Sequence, residues 1–133
     1  MSTVDARPAV PGETESRLAF TPAAIALLGE LWGRFGPLMF HQSGGCCDGS
    51  SPMCFPLGEF AVGAADVRLG ELALPGPDGE AAAERLVPFF MSAEQFERWR
   101  HTHLTVDVVP GRGSGFSLEA PEGVRFLIRS RLL

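Results

Sequence analysis

Apolar residues early in the chain recur at helical spacing. Ile25, Leu28, Trp32 and Phe35 fall along one side of a helix, and Leu31 widens the stripe. Thr21 is a good N-cap, and Pro22 suits the first helical position because its missing N–H leaves no donor stranded there. Gly36-Pro37 then stops the helix. The pattern then shortens. Leu38 to Gln42 reads as a brief strand. Glu59 to Val62 and Val67 to Leu69 read as a hairpin around Gly63 to Asp66. Pro75 to Glu80 is a surface excursion, and Val87 to Phe90 returns as a strand. Ser92 can cap a second helix, with Gln95 completing a capping box and Phe96 and Trp99 on its inner face. Leu104 to Val109 alternates as a strand, and Pro110 to Gly115 is a glycine-rich turn. Phe116 to Leu118 and Val124 to Ile128 are the last two strands expected.

This order predicts a compact α+β domain with two main helices and mostly antiparallel strands. Residues 1–16, rich in proline and polar groups, read as a flexible tail, and residues 17–133 as the domain. With 133 residues, 45% of them hydrophobic, the chain has enough material for one core. Its net charge of -5 argues against binding nucleic acid or an anionic membrane, both of which call for a basic surface. No apolar run approaches the roughly 20 residues that span a bilayer. The first residues lack the apolar centre of a secretory signal, so a cytoplasmic location is expected.

All three cysteines lie in one stretch, Ser43-Gly44-Gly45-Cys46-Cys47-Asp48-Gly49-Ser50-Ser51-Pro52-Met53-Cys54. In a reducing compartment, cysteines clustered in a glycine-rich, polar loop point to metal binding or thiolate chemistry rather than to structural disulfides. Cys46, Cys47 and Cys54 are soft ligands and Asp48 a hard one. Gly44, Gly45 and Gly49 let the backbone wrap tightly. Cys46 and Cys47 are adjacent, so both reach one ion only if the chain turns between them. The histidines are candidate completers. His41 precedes the loop and shares a strand face with Met39. His101 and His103 form a His-x-His pair that projects to one side if the segment is extended. Zinc, iron or an iron–sulfur cluster fits such donors. A thiol nucleophile drawn from Cys46 or Cys47, His41 or His101, and Asp48 stays open beside the metal reading. So does a non-catalytic docking loop. Gly111 to Gly115 has neither the following helix nor the lysine of a phosphate loop.

From Pro37 onward, the string Gly-Pro-Leu-Met-Phe-His-Gln-Ser-Gly-Gly-Cys-Cys-Asp-Gly-Ser-Ser-Pro-Met-Cys resembles a bacterial family of unknown function, often labelled acetaldehyde-dehydrogenase-associated. That resemblance implies service to an alcohol or aldehyde dehydrogenase partner. Three blocks are also similar, in order, to the HesB-like A-type iron–sulfur carriers: Leu18 to Ala24, Gly44-Gly45-Cys46, and Leu104 to Phe116 with its Gly-Ser-Gly-Phe ending. This second likeness implies that family's α+β fold, with Cys46 as first ligand. The carriers' C-terminal Cys-Gly-Cys is replaced here by Arg129-Ser130-Arg131-Leu132-Leu133. Cys47 and Cys54, with His101 or His103, would then have to complete the shell. The expectation is a small metal-binding accessory or carrier protein rather than a catalyst, with a homodimer as a candidate assembly.

Overall fold

The computed structural model describes residues 3–42, 51–58, 63, 66–75, 81–111 and 117–132, the side chains of residues 75 and 81–84 excepted. Its first helix forms where the pattern places it, for local reasons. Thr21 is extended and its hydroxyl accepts the Ala24 N–H at 3.2 Å; α1 then runs Pro22–Phe35. Gly36 ends it at φ 80°, where a side chain would be strained, and returns its N–H to the Trp32 carbonyl at 2.8 Å. The buried positions are Ala24, Leu28 and Leu31, one face at i, i+4, i+7, whereas Phe35 is exposed at the helix end. The stripe is thus rotated from the expected one, because the last turn overruns the core.

The strands are β1 (Val4–Asp5), β2 (Arg7–Pro8), β3 (Leu18–Phe20), β4 (Leu38–Gln42), β5 (Met53–Pro56), β6 (Asp66–Pro75), β7 (Ala81–Ser92), β8 (Thr102–Pro110) and β9 (Val124–Leu132). A short α2 spans Ala93–Trp99. They build two mixed sheets, one ordered β1-β3-β8-β9 and the other β2-β6-β7-β4-β5. The β3–β8 and β4–β7 pairs are parallel; the remaining pairs are antiparallel. The molecule is therefore an α+β domain with two helices among the described residues.

One core joins the sheets. Phe20 and Phe126 come from the four-stranded sheet, Phe40 and Phe89 from the five-stranded one. The Phe40 ring lies 5.9 Å from Phe20, 5.5 Å from Phe89 and 4.9 Å edge-on to Phe126. Such aromatic contacts add about 0.5–1.5 kcal/mol each beyond the area they bury. Leu28 and Leu31 of α1 join this cluster.

Several segments differ from the pattern-based reading. Residues 4–8, expected in a tail, pair with both sheets. Ala6 is the crossing point, buried, with its N–H on the Leu18 carbonyl at 2.9 Å. Val67 to Leu69 belongs to the long β6, which pairs with β7. The proposed partner Glu59 to Val62 lies outside the described residues. Ser117 and Leu118 form a turn before a 3-10 helix at Ala120–Glu122 rather than a strand. Ser92 does cap α2, accepting the Gln95 N–H at 3.2 Å. The Gln95 side-chain oxygen Oε1, however, accepts the Trp99 indole N–H at 3.1 Å.

Candidate functional site

Residues 43–52 of the cysteine stretch form the connection of a β-hairpin, and Met53 and Cys54 open its second leg. Its two legs are β4 and β5, in antiparallel register: Leu38 faces Pro56, Met39 faces Phe55, Phe40 faces Cys54 and His41 faces Met53. Residues 43–50, which include Gly44, Gly45, Cys46, Cys47, Asp48 and Gly49, lie outside the described residues. The register fixes where that connection leaves and rejoins the sheet. Its return is tied down by Ser51, whose hydroxyl accepts the Arg125 Nη1–H at 2.7 Å.

His41 stands at the root of the connection, buried, with Nε2 2.9 Å from Asp66 Oδ1. The second carboxylate oxygen of Asp66 accepts the Gly63 N–H at 2.8 Å. That backbone donor, seconded by the hydrogen bond to His41, holds the Asp66 carboxyl below its usual range. An ionised carboxylate only accepts, so Nε2 of His41 must carry the proton. The pair therefore directs the Nε2–H at Asp66 and sets the plane of the ring.

Cys54 occupies a different setting. It was expected in the loop with the other thiols, but it lies on β5, fully buried in the shared core. Strand alternation explains this: Met53 and Phe55 point to one face, and Cys54 points to the other with Phe40. Burial, seconded by the nearby Glu119 carboxylate, pushes its thiol far above the ordinary range, so it is held protonated. Its backbone is stapled across the domain. The Cys54 N–H donates to Ser117 Oγ at 2.9 Å, and its carbonyl accepts the Leu118 N–H at 3.0 Å. Ser117 donates in turn to Oε1 of the fully buried Glu119, whose Oε2 accepts the Phe126 N–H at 3.4 Å. Burial raises the Glu119 carboxyl above its normal value.

His101 and His103 do not form the expected extended pair. His101 is exposed in the turn after α2, while His103 begins the body of β8 opposite Arg131. The turn is closed by Thr102, whose hydroxyl donates to the Trp99 carbonyl at 2.5 Å. His103 is buried, and its Nδ1 has no hydrogen-bond partner among the described residues. Burial, then the Arg131 charge, pulls its pKa down. It belongs to the four-stranded sheet and His41 to the five-stranded one. Among the described residues, no three His, Cys, Asp or Glu side chains gather closely enough to hold a metal.

Asp66 was missed by sequence reasoning because it lies 25 positions from His41 with no motif between them. Ser117 was missed because a strand was expected over Phe116 to Leu118, and Glu119 because no spacing in the sequence links it to Ser117 or Phe126. The fold and the site now stand beside a family match: residues 27–132 fit the model of a domain of unknown function, DUF779. The chain belongs to the DUF779 family. No curated protein and no solved structure matches it. The DUF779 segment begins within α1 and runs through β9, so it takes in His41, the cysteine connection, Asp66 and Glu119. No helix among the described residues is long and apolar enough to cross a membrane.

Proposed function

We propose that this DUF779 chain is a small metal-binding accessory protein. Cys46 and Cys47 would supply thiolates and His41 an imidazole, with Asp66 orienting the ring. The observation that carries the reading is the pairing of buried His41 with half-buried Asp66 at the root of the hairpin whose connection holds both cysteines. A metal-bound histidine almost always donates its other N–H to a carboxylate or carbonyl, which fixes its tautomer and raises its basicity. Two thiolates and one imidazole make a three-ligand shell with an open position. Cys54 plays no direct part in this reading, being protonated and turned into the core. Kinship with A-type iron–sulfur carriers, and service to alcohol or aldehyde oxidation, belong to the same proposal. They rest on the Gly44-Gly45-Cys46 likeness and the longer cysteine string.

The test is metal analysis of anaerobically purified protein, before and after loading with zinc or iron(II). Stoichiometric metal that is lost in a Cys46→Ser, Cys47→Ser double variant is expected. Metal content that stays below stoichiometry in the wild type after loading overturns the proposal.

The same carboxylate–histidine pair favours one second reading, in which His41 acts as the base that activates Cys46 or Cys47 as a nucleophile. That reading expects rapid alkylation of one of these thiols well below pH 8.5, slowed in His41→Gln. Equal, slow alkylation of both thiols would count against it.

A further inference from the structure

The loop from β2 to β3 carries the chain from one sheet to the other. Its residues 12–17 border an open cavity of about 330 Å³. Pockets of that size with a few converging polar groups are the usual setting for small ligands. The cation of this cavity is Arg17, whose side chain is only 10% exposed.

The guanidinium of Arg17 is held in two independent ways. From outside the loop, Nη1 donates to the Arg100 carbonyl at 2.8 Å, and Cζ lies 5.2 Å from the centre of the Phe96 ring. Both contacts belong to α2 and the residue that follows it. From within the loop, Glu13 takes the other edge: Nε donates to Oε1 at 2.8 Å and Nη2 donates to Oε2. The α2 contacts therefore position the cation without help from Glu13. The edge given to Glu13 matches any planar carboxylate in the same two-point geometry. Glu13 is also the more exposed partner, at 27%. A second guanidinium, that of Arg100, lies 5.5 Å from the same Phe96 ring and adds positive charge nearby. Glu15 also borders the cavity, and its like charge weighs against a dianion more than against a monoanion.

We propose that this cavity binds a small monocarboxylate, and that Glu13 is a built-in occupant of the Arg17 fork which the incoming carboxylate displaces. The site is separate from the metal reading and stands without it.

The experiment titrates the isotope-labelled full chain with sodium acetate and, in parallel, with inorganic phosphate at matched ionic strength. NMR follows the Arg17 Nε–H signal in wild type and in Glu13→Ala. Arg17→Gln is the binding-deficient control, and circular dichroism verifies that each variant is folded. Where Arg17→Gln does not fold, the Nε–H signal of Glu13→Ala still reports on Arg17 directly. Acetate should shift that signal saturably, with a Kd lower in Glu13→Ala than in wild type by about tenfold, the scale of one charge-assisted hydrogen bond. Phosphate should bind more weakly than acetate. An Arg17 signal that acetate does not shift saturably in Glu13→Ala overturns the site. Equal acetate Kd values for Glu13→Ala and wild type overturn the role of Glu13 as occupant. Phosphate binding as tight as acetate overturns the monocarboxylate assignment.

Discussion

Glu119 is the most demanding group in the described structure, because its carboxyl is fully buried and yet serves two donors. Replacing it with alanine strands the Ser117 hydroxyl and the Phe126 N–H. Each buried donor left without an acceptor costs about 1–3 kcal/mol, so the variant should lose about 2–6 kcal/mol. Glutamine keeps the shape, and its single amide oxygen can still accept one of the two donors, so its loss should be smaller, about 1–3 kcal/mol. The two variants also separate by pH. Burial raises the Glu119 carboxyl in the folded protein above its unfolded value, so the folded state binds the extra proton. That contribution is complete below the unfolded pKa and is lost as the pH rises through the folded pKa. Wild-type stability should therefore fall between pH 5 and pH 8 relative to Glu119→Gln, which has no proton to release. Urea unfolding of the three proteins at both pH values measures this directly. Equal pH slopes for wild type and Glu119→Gln, or equal stabilities for the alanine and glutamine variants, would refute the reasoning.

Two further predictions concern the N-terminal segment and the buried thiol. A β-carbon at Gly70 would meet the Arg7 carbonyl oxygen at 2.9 Å and the Ala6 side chain at 3.3 Å. Gly70→Ala should therefore push β2 off β6 at a cost of about 1–3 kcal/mol, seen as a lower Tm and faster amide exchange at residues 4–8. An unchanged Tm with unchanged exchange would show that β2 does not pack as described. Native Cys54 should resist iodoacetamide at pH 8 and react only when urea is added, because the thiol is buried and protonated. Peptide mapping that finds Cys54 modified in the folded chain as fast as in the unfolded one would contradict its place in the core.

Local structure was the most legible part of this chain. The cap at Thr21, the stop at Gly36 and the cap at Ser92 depend on residues within four positions of one another, and each appears where the pattern places it. Long-range partnership was not legible. The pairing of His41 with Asp66 requires β4 and β6 to flank β7 in one sheet, and nothing in the intervening residues encodes that order. Nor does local composition reveal that Cys54 parts company with Cys46 and Cys47. A polar, glycine-rich neighbourhood suggests a loop, but the β4–β5 register places Cys54 opposite Phe40 and in the core.

The sequence by itself determined the helices and their ends and most of the strand material. Those features follow from backbone preferences and periodicity, which act over a few residues. Tertiary structure alone decided which groups near the cysteine connection are chemically committed. It gave His41 a carboxylate partner and Cys54 an apolar one, because strand order and register determine which side chains meet water, charge or the core.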